Sequence, residues 1–139
     1  MRPKQVMPYA AFGVFILIIA GCSNEPNEKG HPMNTLEIEL TNANFDKETS
    51  TGVVLVDFWA SWCSPCQIQG PIIEKVAVAM QGKAKVGKCN VDKSPQIAER
   101  FGIRSIPTLI ILKDKQEVER LVGVQQEGEL IATIEKHMK

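Results

Sequence analysis

Val53-Val54-Leu55-Val56-Asp57-Phe58-Trp59 runs directly into Ala60-Ser61-Trp62-Cys63-Ser64-Pro65-Cys66. Apart from Asp57 the first seven positions are apolar on both alternating faces, which reads as a strand buried on both sides at the centre of a helix-covered sheet. From Cys63 to about Met80 the apolar residues Ile68, Ile72, Val76 and Met80 recur every four positions. That spacing predicts one long helix, kinked near Pro71 because proline removes a backbone donor and crowds the preceding turn. Cys63 and Cys66 therefore sit at a strand-to-helix junction, one turn apart, where they can cycle between a dithiol and a disulfide.

Outward from this stretch the remaining elements follow from pattern. Leu36 to Leu40 alternates apolar and polar residues and predicts an edge strand, after which Thr41 or Asn42 is placed to cap a short helix through about Ser50. Lys85 to Val91 reads as a second inner strand and Pro95 to Phe101 as a short helix. Thr108 to Leu112 and Glu117 to Val122 are two more strands, joined by the polar turn Lys113-Asp114-Lys115-Gln116. Glu127 to Met138 closes the chain as an amphipathic helix with Leu130, Ile131, Ile134 and Met138 inward. The order βαβαβαββα gives an α/β sheet in three layers, with helices on both faces.

A chain of 139 residues with 44% apolar and 23% charged content has room for one globular domain. Residues 1–21 stand apart from it. Arg2 and Lys4 precede an uncharged stretch whose apolar core, Tyr9 to Ala20, is short for the roughly 20 residues of a spanning helix, so the segment reads as a cleaved export signal. Its end, Ile19-Ala20-Gly21-Cys22, resembles a bacterial lipobox. That resemblance implies that Cys22 becomes the first residue of the mature chain and carries lipid, and two or three acyl chains anchor a protein stably. The alternative is an uncleaved short anchor; either reading places the domain outside the cytoplasm at a membrane. Residues 22–34, with Glu25, Pro26, Asn27, Glu28, Lys29, Gly30 and Pro32, bury too little apolar surface to order and read as a tether with a coil dimension on the order of 20 Å. The 16 basic and 16 acidic residues balance, and loss of Arg2 and Lys4 leaves a slight acidic excess. No basic run is present, so nothing favours nucleic acid as a partner.

Three stretches together resemble thioredoxin: Val56 to Cys66 as quoted, then Asn90-Val91-Asp92, then Phe101-Gly102-Ile103-Arg104-Ser105-Ile106-Pro107-Thr108. The similarity covers essentially all of residues 35–139, and the step from Cys66 to Pro107 leaves no room for the helix-and-strand insertion of cytochrome-maturation relatives. It implies the thioredoxin fold, three-layer α/β/α with a central mixed sheet. On the helix N-terminus the Cys63 thiol is expected to acidify toward about 7, whereas Cys66, one turn on, is shielded. Asp57 within an apolar strand costs several kcal/mol if charged and unpaired, so something must compensate for it. The resemblance implies that it lies beneath the cysteines, has a raised pKa and takes the Cys66 proton through water. Lys88 matches the lysine near this acid. Ile106-Pro107 is expected to be a cis bond facing the cysteines and exposing backbone for an extended substrate. Trp62, Ile106, Pro107 and Gly123 make up the implied docking surface, with Trp59 packed behind it. Pro65 fits the first helical turn. Ser64 and Lys115 depart from the glycines common in the family.

The competing readings of these residues are structural. A zinc half-site would need further ligands, and the spare candidates Cys89, His31 and His137 form no second paired motif. A permanent disulfide over so short a loop constrains the unfolded chain little. Asp57 as a buried hydrogen-bonded acid, Lys88 as a solvated strand residue and Pro107 as a plain strand-start proline remain the alternatives for those positions. Cys89 reads as a small inert hydrophobe. No histidine lies between the cysteines to overstabilise the thiolate, the feature that separates an oxidant near about −120 mV from thioredoxin near about −270 mV. The expected activity is therefore protein-disulfide reduction, without cofactor or metal, by a monomer acting on disulfide-containing proteins and recharged by a membrane thiol-disulfide donor. Disulfide donation or isomerisation at the same site is the enzymatic alternative, and a binding or scaffold subunit is the non-enzymatic one.

Overall fold

The computed structural model describes residues 36–139; the expected leader, the lipidation of Cys22 and the tether lie outside them. The elements are β1 (Glu37–Glu39), α1 (Phe45–Glu48), β2 (Val53–Trp59), α2 (Ser64–Ala79), β3 (Lys85–Asn90), α3 (Pro95–Arg100), β4 (Thr108–Lys113), β5 (Gln116–Val122) and α4 (Glu127–Met138). They appear in the expected order. One mixed sheet of five strands, ordered β1-β3-β2-β4-β5, runs parallel from β1 through β3 to β2 and antiparallel from β2 to β4 to β5. Among the described residues no helix is long and apolar enough to cross a membrane.

Two cores flank this sheet. Against one face α2 and α4 pack Ile73, Val76, Ala77, Leu130 and Ile134 onto Leu55, Val86, Leu109 and Ile111. Against the other face Phe45 of α1 and Ile97 of α3 close over Val54, Val56, Phe58, Cys89 and Ile110. β2 lies between them and is buried along its length, with Trp59 alone half-buried. Its two apolar faces are what a central, doubly covered strand requires.

Several local expectations shift for physical reasons. In α2 a strict four-residue step overshoots each turn by about 40°, so the Ile68 to Met80 stripe rotates by roughly 120° over its length. Ile68 ends 62% exposed, and the buried stripe is Cys66, Gln69, Ile73, Val76 and Ala77. Pro71 lies inside this helix, which continues through it as one element. In α4 Leu130 and Ile134 are buried as expected, but Met138, on the last turn, is exposed. α1 starts later than the Thr41 or Asn42 cap implies. Asn44 precedes its first turn and folds back to accept from the Thr41 amide at 2.7 Å, while Asn42 Oδ1 accepts from Ile97 N at 3.3 Å in the first turn of α3. The alternation in β1 also misleads, because Glu39 is exposed whereas the Glu37 side chain is only 6% exposed.

Two backbone positions are tightly specified. A Cβ built on Gly87 in β3 would lie 2.5 Å from Leu40 Cδ1, 2.8 Å from Leu40 Cγ and 3.2 Å from the Ile38 carbonyl oxygen. Leu40 is itself buried and has nowhere to go. In the β4–β5 turn both Asp114 (φ 50°) and Lys115 (φ 72°) are left-handed, the geometry of a tight hairpin turn that favours glycine. Asp114 is fastened to Gly52 through its own amide at 3.0 Å and its carboxylate at 2.8 Å. Urea titration is expected to show Gly87→Ala destabilised by about 1–3 kcal/mol through overpacking. Lys115→Gly is expected to be stabilised by up to ~1 kcal/mol through relief at its left-handed position.

Candidate active site

The site is built where β2 ends and α2 begins. Cys63 is the N-cap of α2 in an extended conformation, and its sulfur accepts from the Cys66 amide at 3.3 Å. Pro65 stands in the first turn, where its missing donor costs nothing. Cys63 and Cys66 are joined as a disulfide with Cα atoms 5.3 Å apart. Both are buried, yet only Cys63 lines the adjoining groove, together with Trp62, Ser64, Pro65, Val91, Ile103, Arg104, Ser105 and Ile106. The groove thus reaches the Cys63 residue and leaves Cys66 behind it.

The wall opposite the cysteines comes from the start of β4. Ile106-Pro107 is a cis peptide, as expected, and the Ile106 carbonyl oxygen lies 3.6 Å from Cys63 Sγ. Gly123 donates its amide to the Pro107 carbonyl at 2.8 Å, which brings the end of β5 against this bond. Trp62 is 69% exposed, and its indole N–H donates to Asp92 at 2.8 Å. Trp59 packs against the Ala60, Cys63 and Cys66 cluster, behind the groove. Thus Trp62 and Ile106 line the groove with Cys63, whereas Pro107 and Gly123 support its edge.

Asp57 lies on β2 on the face covered by α2 and α4, between Lys88 of β3 and Leu109 of β4 in register. It is 0% exposed, and neither carboxyl oxygen has a hydrogen-bond partner within the described protein. Burial pushes its pKa from the ordinary 3.8 up to about 7; the Lys88 charge pulls it down and Glu37 pushes it up. Lys88 Nζ lies 3.9 Å from Glu37 Oε2 and 5.0 Å from the Trp59 ring centroid. Lys88 is thus half-buried, ion-paired to Glu37 and beside Asp57 in register, rather than a solvated strand residue. Cys89, on the opposite face of β3, is fully buried; desolvation drives its thiol up to about 11, against a weaker hydrogen bond from Ser94.

Sequence reasoning misses three contributors. Asp92 orients Trp62, although Asn90-Val91-Asp92 is visible in the sequence only as a motif without a role. Gln69, fully buried on α2, accepts from the Gln125 amide at 2.7 Å and donates to the Gln125 carbonyl at 3.2 Å, and so fixes the loop after Gly123. A polar residue on the true buried stripe of α2 is the signal that the four-residue stripe conceals. Glu37 is the third.

A dithiol/disulfide pair at a helix N-terminus, beside a cis-proline and above a buried acid, defines a thiol–disulfide oxidoreductase. The Thioredoxin family model matches residues 37–136. Thioredoxin of Staphylococcus aureus strain Mu50 is 43% identical over 101 residues, spanning 73% of this chain and 97% of that protein; the protein of strain MW2 matches equally. The solved structure of a mutant thioredoxin from Halobacterium salinarum NRC-1 superposes with a TM-score of 0.69 at 37% identity, covering 75% of this chain and 93% of that one. The chain belongs to the thioredoxin family, and its fold is the thioredoxin fold.

The raised pKa of Asp57 has a stability consequence of fixed sign. Between 3.8 and about 7 the folded state holds a proton that the unfolded state has released. Stability therefore falls as pH rises through that window, by an amount on the order of 4 kcal/mol, fully lost above the folded pKa. Chemical denaturation of oxidised wild type and Asp57→Asn is expected to show a stability difference that grows in favour of the variant from pH 4 to pH 8. A difference independent of pH would show that Asp57 does not titrate as its burial demands.

Proposed function

We propose that the chain is a protein-disulfide reductase of the bacterial cell envelope, held at a membrane by lipid on Cys22. The carrying observation is the groove-facing Cys63 sulfur at the tip of α2 with Cys66 behind it and Asp57 buried in the strand beneath. In the reduced protein the Cys66 amide that points at Cys63 Sγ, with the helix N-terminus, stabilises a Cys63 thiolate. That thiolate attacks one sulfur of a target disulfide; a Cys63–target bond forms, the target S–S bond breaks, and one target thiolate leaves. Cys66 then gives its proton, through an intervening water, to the Asp57 carboxylate and attacks Cys63 Sγ. The Cys63–Cys66 disulfide forms and the second target thiolate leaves, so two electrons have passed to the target.

The groove favours an extended protein segment. The apolar faces of Trp62 and Ile106 border it, and backbone at the Ile106-Pro107 bond faces Cys63. Such a segment can pair through main chain as a short added strand. Pro65 next to Cys66, with no histidine between the cysteines, favours the reducing direction. Outside the cytoplasm the spent disulfide requires a dithiol donor, and a membrane protein passing reducing equivalents across the bilayer is the class within reach of a lipid-anchored domain. The support for the anchor is the run Ile19-Ala20-Gly21-Cys22. We propose a monomer.

Insulin-disulfide reduction with dithiothreitol as donor is expected to be accelerated by the wild type and to fall to the rate of dithiothreitol alone in Cys63→Ser. Equal rates would favour a binding module that uses the same surface. Cys66→Ala in cells is expected to accumulate mixed disulfides on Cys63, and their identity names the substrates. Radiolabelled palmitate is expected to enter the full chain and not Cys22→Ala; an unlabelled wild type in the soluble fraction would overturn the anchor.

A further inference from the structure

β3 is flanked by β1 and β2, so a side chain on one face of β3 can be shared between acids of the two outer strands. Lys88 is placed in this way. In register it stands beside Asp57 of β2 and Glu39 of β1, and Glu37, paired with Val86, lies one alternation back on the same face. Glu39 is turned to solvent, whereas Glu37 reaches inward and sets Oε2 3.9 Å from Lys88 Nζ, with only 6% of its side chain exposed. The ammonium is closed in on other sides. The Trp59 ring lies 5.0 Å away, and a Cβ on Gly70 of α2 would come within 3.8 Å of it. A single half-buried cation thus faces two buried carboxyl groups from opposite neighbouring strands.

We infer that Glu37 is a positioning residue of the redox centre: it draws the Lys88 ammonium toward β1 and so sets how much positive charge reaches Asp57. The inference rests on Asp57 being the proton acceptor for Cys66. A cation shared with a second carboxylate stabilises the ionised Asp57 less than one held for it alone, and the second negative charge opposes ionisation directly. The direct charge effects have these signs, with Lys88 pulling the Asp57 pKa down and Glu37 pushing it up. The elements packed on that face bring apolar Leu109 of β4 beside it in register, the buried Cys66 and Gln69 of α2, and Leu130 and Ile134 of α4; the charges that bear on it are Lys88 and Glu37. Cys89 points to the other face and stays protonated. Removing Glu37 is therefore expected to leave a weaker base at Asp57, ionised at lower pH.

The test uses the full chain in detergent, oxidised, with carbon-13 in its aspartate carboxyl groups. Glu37→Gln keeps shape and hydrogen bonding, Glu37→Leu keeps burial alone, and Lys88→Gln removes the shared cation. The Asp57 titration midpoint is expected to move down by ~0.5 pH units or more in both Glu37 variants and up in Lys88→Gln. The acid limb of the pH profile for Cys66 attack on a Cys63 mixed disulfide is expected to follow the Glu37 variants to lower pH. An unmoved or raised Asp57 midpoint in folded Glu37→Gln overturns the inference, as does a lowered midpoint with an unmoved acid limb. Asp57→Asn tests the underlying reading separately: if its acid limb persists, Asp57 is not the proton acceptor, whatever the carboxyl resonances show.

Discussion

A carboxyl group with no surface open to bulk solvent sits on the central strand, between the two cores. Asp57 shares β2 with Val54, Leu55, Val56 and Phe58, all of them inaccessible. Burial of an ionised carboxylate is costly enough that the group either finds a partner or keeps its proton, and here it does something of each. Its pKa rises to about 7 while Lys88 offers partial compensation from the adjacent strand. An acid balanced in this way changes charge near neutrality, which is useless for stability and suited to moving a proton.

The topology puts the remaining parts around that acid. β2 is central, so its C-terminal end opens directly into α2 and places Cys63 at the helix tip above the sheet. β4 is antiparallel to β2, and Phe58 pairs with Thr108, so the start of β4 meets the end of β2 and the Ile106-Pro107 bond arrives beside the cysteines. β5 returns alongside, and its last bond, Gly123 to Pro107, ties the loop that Gln69 then holds from α2. Neither sulfur is positioned by its own neighbours alone. Each side of the groove is supported by an element that also buries part of the α2/α4 core.

What can be read in the sequence follows from how local its cause is. β2 is legible because seven residues carry the signal for burial on both faces, and the cysteine pair because spacing and element boundary coincide. The turn at Asp114 and Lys115 lies where the polar run between two strands puts it, although no glycine marks it. A four-residue count places Val76 and Met80 in the core but leaves Ile68 exposed, because the helix advances by 3.6 residues per turn and the stripe drifts. The same count hides Gln69, since a glutamine outside the assumed stripe looks solvated. Glu37 is hidden differently. Its neighbours Ile38 and Leu40 pack on the opposite face, so alternation assigns it to water. Only the register of β1 against β3, a contact between strands far apart in sequence, shows that part of this polar face lies under the α2 layer.

In the proposed reduction the groove and the buried charges answer to different demands, and Asp57, Lys88 and Glu37 do not line the groove. Recognition in that proposal falls to an exposed indole, an isoleucine and main-chain groups, none of which requires a particular side chain from the target. Asp92 holds the indole by one hydrogen bond, so the apolar surface is fixed in place before a target arrives. Proton transfer in the same proposal falls to Asp57, outside the groove lining. A target can therefore vary without disturbing the acid, and the acid can be tuned by residues such as Lys88 without altering the surface the target meets. In this arrangement the helix tip is the only element common to both, because the amide that points at Cys63 Sγ belongs to Cys66. Pro65 in the first turn and the buried Gln69 one turn later, bonded to Gln125, hold that tip.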